Sequence, residues 1–282
     1  MDYTENPRSI KYHVKKYLTK HKLRFTGKKV IDFPAGNGIT TNILQHIGAD
    51  PIPYDLFPEY FKVDSLKCLQ ANISEGIPEE SKSADFVLCQ EGIEHFSDQL
   101  GSFKEFNRIL KKGGGLIITT PNYSNLRAKL SYLLSESERF NSIIAPNELD
   151  SIWMSDKKLT NEIYYGHIFL IGVLKLRCFA KLSGFKIKHI QFTRLKPTSV
   201  LLMFLFYPFI LISNWITYRK RLRKNKDFDE QTKREVYKEI FDLSINPKIL
   251  TDGHLFIEFE KEKEVDEVAN DLKSVHKQFG TT

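Results

Sequence analysis

The chain has 282 residues, 41% of them hydrophobic and 27% charged, with a formal net charge of +7. That apolar content supports a substantial core, and three scattered cysteines (Cys68, Cys89 and Cys178) without metal-ligand spacing exclude a disulfide framework and fit a reducing cytosol. The charge excess is local: RKRLRKNK at 219–226 holds six cations and no acid, the remainder is near +1, and a face spread with charge for nucleic acid is excluded.

The N-terminus, MDYTENPRSIKYHVKKY, carries no apolar h-region, so export is not expected. Residues 7–24 set Ile10, Tyr12, Val14, Tyr17 and Leu18 among lysines and predict an amphipathic helix to which no chemistry is assigned. From residue 28, apolar runs alternate with helical patterns: KVIDF, TTNILQHI, PIPYDL, CLQANI, ADFVLCQE, the helix QLGSFKEFNRILKKG, and GLIITTPN. This rhythm predicts a parallel sheet covered on both faces. KKGGG at 111–115 is expected to end its helix, with lysines at the negative end and a glycine stop.

After Pro121 the pattern is irregular, with Tyr132, Phe140, Trp153, Tyr164 and Tyr165, and a lid or binding loop is expected over 122–166. HIFLIGVLKLRCFAKLSGF reads as a helix stopping at Gly184, and KIKHIQF as a strand. SVLLMFLFYPFILISNWIT, residues 199–217, contains no charge and approaches bilayer-crossing length. GHLFIEFEK makes a last alternating strand, and EVDEVANDLKSVHKQ a surface helix.

The stretch VIDFPAGNGITT, residues 30–41, runs from a strand through a glycine turn into a helix. Gly36 and Gly38 would let a ligand lie against the main chain at the carboxyl edge of the sheet. A dinucleotide fingerprint wants a third small residue where Thr41 stands and needs no acid at the end of the first strand. Asp32 would repel a phosphate and suits a cationic ammonium, while Asp55 in IPYDLF is placed to accept both hydroxyls of a ribose. Two such carboxylates suit a nucleoside with an attached amino acid.

VIDFPAGNGITT, YDL, QANISEGIP, ADFVLCQEGIEHF and EFNRILKKGGGLIITTPNYSNLR, in this order, resemble a class I S-adenosylmethionine-dependent methyltransferase over roughly residues 28–135. The resemblance is nearest to the branch associated with bacterial surface-glycan and small-molecule methylation. It implies an α/β fold: a doubly wound, mostly parallel seven-stranded sheet with an antiparallel last strand, helices on both faces, and an apolar helical insertion between the last two strands. The layout it implies is an N-terminal helical segment (1–26), a methyltransferase domain (27–262) with the inserted segment at 197–250, and a helical tail (263–282). It further implies S-adenosyl-L-methionine as cofactor and S-adenosyl-L-homocysteine as product.

By position, Asp32, Gly36 and Gly38 would hold the methionine part, Asp55 followed by Leu56 the ribose, and Asn72 with Ile73 the adenine. Gln90 and Glu91 would line the methyl-transfer site. Two positions depart from the family pattern. Pro34 replaces its first glycine, which fixes φ and removes an amide donor, and Asn72 replaces a common acid while offering both a donor and an acceptor.

Methyl transfer from a sulfonium is an in-line displacement that needs alignment and exclusion of water, plus a base if the nucleophile is a hydroxyl. His95 in EGIEHF is the first choice, and His167 in YYGHIF, where the resembling family often places a histidine, is the second. Glu94 either orients His95 or is solvated, and no metal is expected.

A single crossing by 199–217 would put the strands on either side of it across a membrane from each other. The segment is therefore expected either to dip and return, with Pro208 as the bend and Asn214 near the polar boundary, or to lie in the interface. The cations next to it would sit among anionic headgroups, giving peripheral attachment at the inner face of the membrane through 199–226. On this reading the acceptor is a small molecule, glycan or lipid-linked compound with an amphiphilic character, such as a carrier-bound sugar or a quinone-like head. The alternatives are a buried hairpin, a homodimer interface in a soluble small-molecule methyltransferase, and a non-catalytic binding module. Aromatic and basic residues are separated rather than interleaved, so no nucleic acid is expected.

Overall fold

β-branched and aromatic runs bounded by glycine and proline form the strands, and each strand sends neighbouring residues to opposite faces of one sheet. Val30 and Ile31, Val87 and Leu88, and Ile117 and Ile118 divide in this way between two buried clusters. The computed structural model describes residues 3–137, 147–149, 152–154 and 164–276. β1 (Lys29–Asp32), β2 (Asp50–Asp55), β3 (Leu69–Gln70), β4 (Ala84–Gln90) and β5 (Leu110–Pro121) pair in parallel. β6 (Ile152–Met154) and β7 (Tyr164–Tyr165) make a separate antiparallel pair. β8 (Phe185–Ile190) and β9 (His254–Lys261) complete a seven-stranded sheet of order β3-β2-β1-β4-β5-β9-β8, with β9 antiparallel to both its neighbours.

One face is covered by α1 (Ile10–Lys20), α2 (Lys22–Phe25) and α3 (Ile39–His46), where Val14, Tyr17, Leu18, Phe25 and Leu44 meet Val30, Leu88 and Phe256. On the other face α4 (Gln99–Ile109) and α6 (Val173–Leu182) bring Phe103, Phe106 and Leu176 against Ile31, Val87, Ile118 and Phe259. α5 (Leu126–Ser135) comes after β5, and α7 (Pro197–Lys224), α8 (Glu230–Ile245) and α9 (Pro247–Thr251) fill the chain between β8 and β9. α10 (Val265–Ser274) is the tail helix. Chain order reverses between β1 and β4, which opens a crevice at their carboxyl ends.

Three expectations from the sequence change. The helix ending in KKGGG stops at Ile109, and those five residues belong to β5. The cation at the helix end comes from β9: Lys261, fully buried, donates from Nζ to the carbonyls of Asn107 (2.8 Å) and Leu110 (2.9 Å) and to Glu264 Oε2 (2.9 Å). Residues 167–172 are not helical, because α6 begins at Val173. Pro208 makes no return bend: it lies inside an unbroken 28-residue helix, and the chain comes back through α8. Of the expected lid, Phe140 lies outside the described residues, and only the main chain of Trp153, Tyr164 and Tyr165 is described.

Replacing Lys261 by Met should leave two carbonyls and the Glu264 carboxylate without their shared donor and cost about 3 kcal/mol. Urea unfolding reads this directly, and a loss below about 1 kcal/mol would show that the buried ammonium does not set the helix boundary.

Candidate active site

The crevice is shaped by a short acid-to-amide bridge between neighbouring loops. Asp55, at the end of β2, accepts the Gly36 N–H at 2.7 Å through Oδ2 and the Phe57 N–H at 2.9 Å through Oδ1. Gly36 has a left-handed φ of +55°, and a Cβ there would meet nothing within 4 Å, so the main chain faces open space. Asp32, buried at the end of β1, accepts from Thr41 Oγ1 at 2.5 Å, and Gln90 Oε1 accepts from Thr40 Oγ1 at 2.7 Å. Together with Lys11, Pro34, Glu91 and their neighbours these residues enclose a cleft of about 440 Å³.

Gly38 does not line that cleft. It caps α3 with a φ of +82°, and a Cβ there would lie 2.6 Å from Phe61 and Val63, so its missing side chain serves close packing. Leu56 and Asn72 border an adjacent cleft of about 620 Å³. Asn72 Oδ1 is already engaged by Ser74 N–H (3.1 Å) and Ser74 Oγ (2.7 Å), which leaves the side chain its donor but not the free acceptor expected of it. Ile73 packs against the core and lines neither cleft.

Glu91 adopts a left-handed backbone, φ +49°, and receives Thr119 Oγ1 at 3.1 Å. The next residue, Gly92, lets the turn press on the loop after β1, because a Cβ there would sit 2.3 Å from Pro34 Cδ. The helical turn Ile93–His95 then carries Glu94 and His95 into the interior. Glu94 is fully buried and accepts from Thr120 Oγ1 at 3.0 Å, so it is not the solvated acid the sequence allowed. His95 and His167 meet with ring centroids 5.1 Å apart, and Glu94, His95 and His167 offer ligand atoms within 4.8 Å of one another, a set able to hold a divalent cation. Neither histidine lines the cleft beside Asp32 itself.

Two residues escaped the sequence reading. Lys11 reaches the cleft from α1, with Nζ 3.5 Å from Asn37 Oδ1. His254, at the start of β9, has Nε2 3.6 Å from Glu91 Oε2. Neither has a local signal: each becomes part of the site only because its element docks at the crevice.

The family profile described as methyltransferase domain matches residues 6–189, more than half of the chain. The chain belongs to this methyltransferase family. The ubiquinone biosynthesis O-methyltransferase of Xanthomonas oryzae pv. oryzae is 26% identical over 166 residues, covering 52% of this chain and 69% of that protein. Its counterpart from Xanthomonas campestris pv. campestris is 26% identical over 161 residues, covering 51% and 67%. A SAM-dependent methyltransferase structure from Archaeoglobus fulgidus superposes with a TM-score of 0.52 at 14% identity, covering 92% of this chain and 98% of that one. Another from Mesorhizobium loti gives 0.50 at 12% identity over 92% and 100%. At such identities the two structures speak for the fold.

S-adenosylmethionine is the cofactor of this methyltransferase family, and the cleft has the chemistry to hold it. Burial pushes the Asp32 carboxyl up to about 7; the Thr41 hydrogen bond and Lys11 oppose the rise, and Asp55 adds to it. Burial also raises Asp55, against the main-chain N–H groups of Phe57 and Gly36. Glu91 is raised for the same reason, with Thr119 and Lys11 opposing. Burial lowers Lys11, while the charges of Asp32 and Glu91 hold its proton on. An ammonium beside Asp32 would restore its charged form, and Lys11 can meet a carboxylate.

Donor binding in this methyltransferase should therefore be linked to proton release. Below pH about 7 the free enzyme carries a proton on Asp32 that a bound ammonium must expel, so affinity should fall up to about tenfold per pH unit on the acid side. Calorimetry at pH 6 in buffers of different ionisation enthalpy should find close to one proton released; none released would remove Asp32 from the donor site. Lys11→Met should weaken donor affinity by about tenfold and move the fall to higher pH.

Proposed function

We propose that this methyltransferase methylates an oxygen of an amphiphilic or lipid-linked small molecule while attached to the inner face of the cytoplasmic membrane. The donor supplies an electrophilic methyl group on a sulfonium. Asp32 holds the ammonium of the donor, Asp55 its ribose hydroxyls and Lys11 its carboxylate. His95, with His167 beside it, takes the proton of the acceptor hydroxyl. Oxygen as the acceptor atom draws on the names of the Xanthomonas relatives.

The observation that carries the membrane part is the outer face of α7. Leu201 (71% exposed), Phe204 (77%) and Phe209 (68%) continue through Ile212, Trp215 and Ile216 as one helical stripe, and none of the central apolar stretch is buried. Such a stripe is unusual on a water-facing surface, and covering it with lipid would contribute on the order of 1 kcal/mol per side chain. Arg219, Lys220 and Arg223 prolong the same face, where anionic headgroups would add roughly 1 kcal/mol per cation.

α8 supports an interfacial orientation. It runs back along α7, with Tyr207 Oη donating to Ile245 O (3.1 Å), Tyr218 against Phe241 (ring centroids 5.7 Å) and Asn225 Nδ2 donating to Tyr237 Oη (2.8 Å). Its sequence, EQTKREVYKEIFDLSI, is too charged for hydrocarbon, so α7 lies in the interface and does not cross.

The protein should float with vesicles of phosphatidylcholine and phosphatidylglycerol, and the Phe204→Ser/Phe209→Ser/Ile212→Ser variant should not, with donor affinity unchanged. Radiolabelled methyl incubated with membrane extract should enter the organic phase, and His95→Ala should slow this about 100-fold. Label confined to water-soluble products, or a wild-type protein that self-associates through α7 and fails to float, would favour a soluble enzyme acting as a dimer.

A further inference from the structure

Building on the reading of an amphiphilic acceptor, we propose that Arg127, Arg194 and Lys196 form a receptor for an acidic group, phosphate or carboxylate, on the acceptor head. It lies between the donor cleft and the apolar face of α7.

Three chain segments converge there. The β5–α5 junction is tied to the start of β9 by Asn122 Nδ2, which donates to Asp252 O at 2.9 Å, and by Asn125 Nδ2, which donates to the same oxygen at 3.2 Å. The segment between β8 and α7 joins them through Asp252, whose carboxylate accepts the N–H groups of Thr193 (2.6 Å) and Arg194 (3.0 Å). The Arg127 N–H donates to Ser199 Oγ at 3.1 Å, fixing α5 against the first turn of α7. The oxygens of the acid at the centre are thereby taken by main-chain donors and the Thr193 hydroxyl, and it makes no salt bridge to the cations.

The three cations outnumber this one acid and form no ion pair with it. Among the described residues, Arg127, Arg194 and Lys196 form no salt bridge to a carboxylate, although seventeen other contacts of that kind run through the chain from Lys15–Glu5 to Lys263–Asp271. Nor does Lys196 extend freely into water. Its stem crosses Gly253 so closely that a Cβ there would lie 2.3 Å from Lys196 Cε. Burial and the charges of Arg194 and Arg127 hold the ammonium below its usual range, with Asp252 opposing. Three cations gathered around a single acid that pairs with none of them are unfavourable in the empty protein and become favourable around an anion; guanidinium groups add bidentate geometry for phosphate or carboxylate.

The neighbours give this cluster its direction. His254 feels Lys196 and Arg194 strongly enough, on top of its burial, to be pushed down to about 4, and it reaches Glu91 of the donor cleft at 3.6 Å. The segments that carry the cations also bear the exposed Leu133 and Leu134 of α5, the exposed Leu195, and the apolar stripe of α7 beginning at Leu201. An amphiphile with its tail on α7 and its acid on the three cations would present the rest of its head toward Glu91.

Calorimetry on the full chain with S-adenosylhomocysteine present tests the receptor, using octyl phosphate, octyl glucoside and inorganic phosphate below micelle-forming concentrations. The wild type should bind octyl phosphate about 30-fold or more tighter than octyl glucoside, given charge-assisted hydrogen bonds to several cations. Arg127→Gln/Arg194→Gln/Lys196→Gln should lose that preference while keeping its affinity for octyl glucoside and for S-adenosylhomocysteine, which also reports that it folds. Gly253→Ala, which pushes the Lys196 stem aside without changing charge, should weaken octyl phosphate alone.

A wild type without the preference, or a triple variant that retains it, overturns the receptor. Inorganic phosphate binding as tightly as octyl phosphate overturns the amphiphile as its ligand. Vesicle flotation reads membrane attachment separately: a protein that does not float but still prefers octyl phosphate keeps this receptor and loses only the attachment.

Discussion

A carboxylate oxygen of Asp55 held 2.7 Å from the Gly36 N–H is the constraint on which the cleft at the carboxyl ends of β1 and β2 depends. Strand ends in a parallel sheet carry unpaired main-chain groups, and loops leaving them diverge unless something joins them. Here the acid of β2 does so, holding the loop after β1 in a left-handed turn that only glycine adopts without cost. Each carboxylate oxygen keeps a further lone pair, so the group that shapes the cleft remains able to accept hydrogen bonds from a ligand.

Around that bridge the protein gathers acids in a low-dielectric place and balances them incompletely. Asp32, Glu91 and Glu94 are all raised, chiefly by burial, and Lys11 is the cation that acts on the first two. A structural core would not retain such a set, because unpaired buried charge costs more than hydrophobic packing of the same volume. A site awaiting a cationic ligand gains from it: the ligand meets an acid already placed and already dry. Cations in excess stand beside His254, where Lys196 and Arg194 both act on the imidazole.

The partner helix α8 governs the apolar segment. A 28-residue helix of this composition reads as a membrane span, and its outward face is bare. Its inward side is bound to α8, whose charges need water, and both ends return to adjacent strands of one sheet. Those ties brace the hairpin on the carboxyl side of the sheet, where α5 and the start of β9 also lie.

Strand and helix positions, the glycine turn and the pair Asp32 and Asp55 were legible in the sequence because each is written in a few consecutive residues: period-two alternation, a Gly-x-Gly turn, an acid closing an apolar run. The same local logic read Lys111 and Lys112 as the cations at the end of α4, whereas Lys261 arrives there from β9 across the sheet. It could not find Lys11 or His254, bury Glu94, or see Gly38 filled over by Phe61, since those facts belong to the docking of one element on another. Pro208 read as a bend, yet the helix passes through it, because the partner helix α8 and the packing at both ends hold the axis. Local pattern set which elements form and which acids end the strands. Tertiary packing alone decided which charged side chains face each other, since electrostatic partners are chosen by distance in space and the sequence records only distance along the chain.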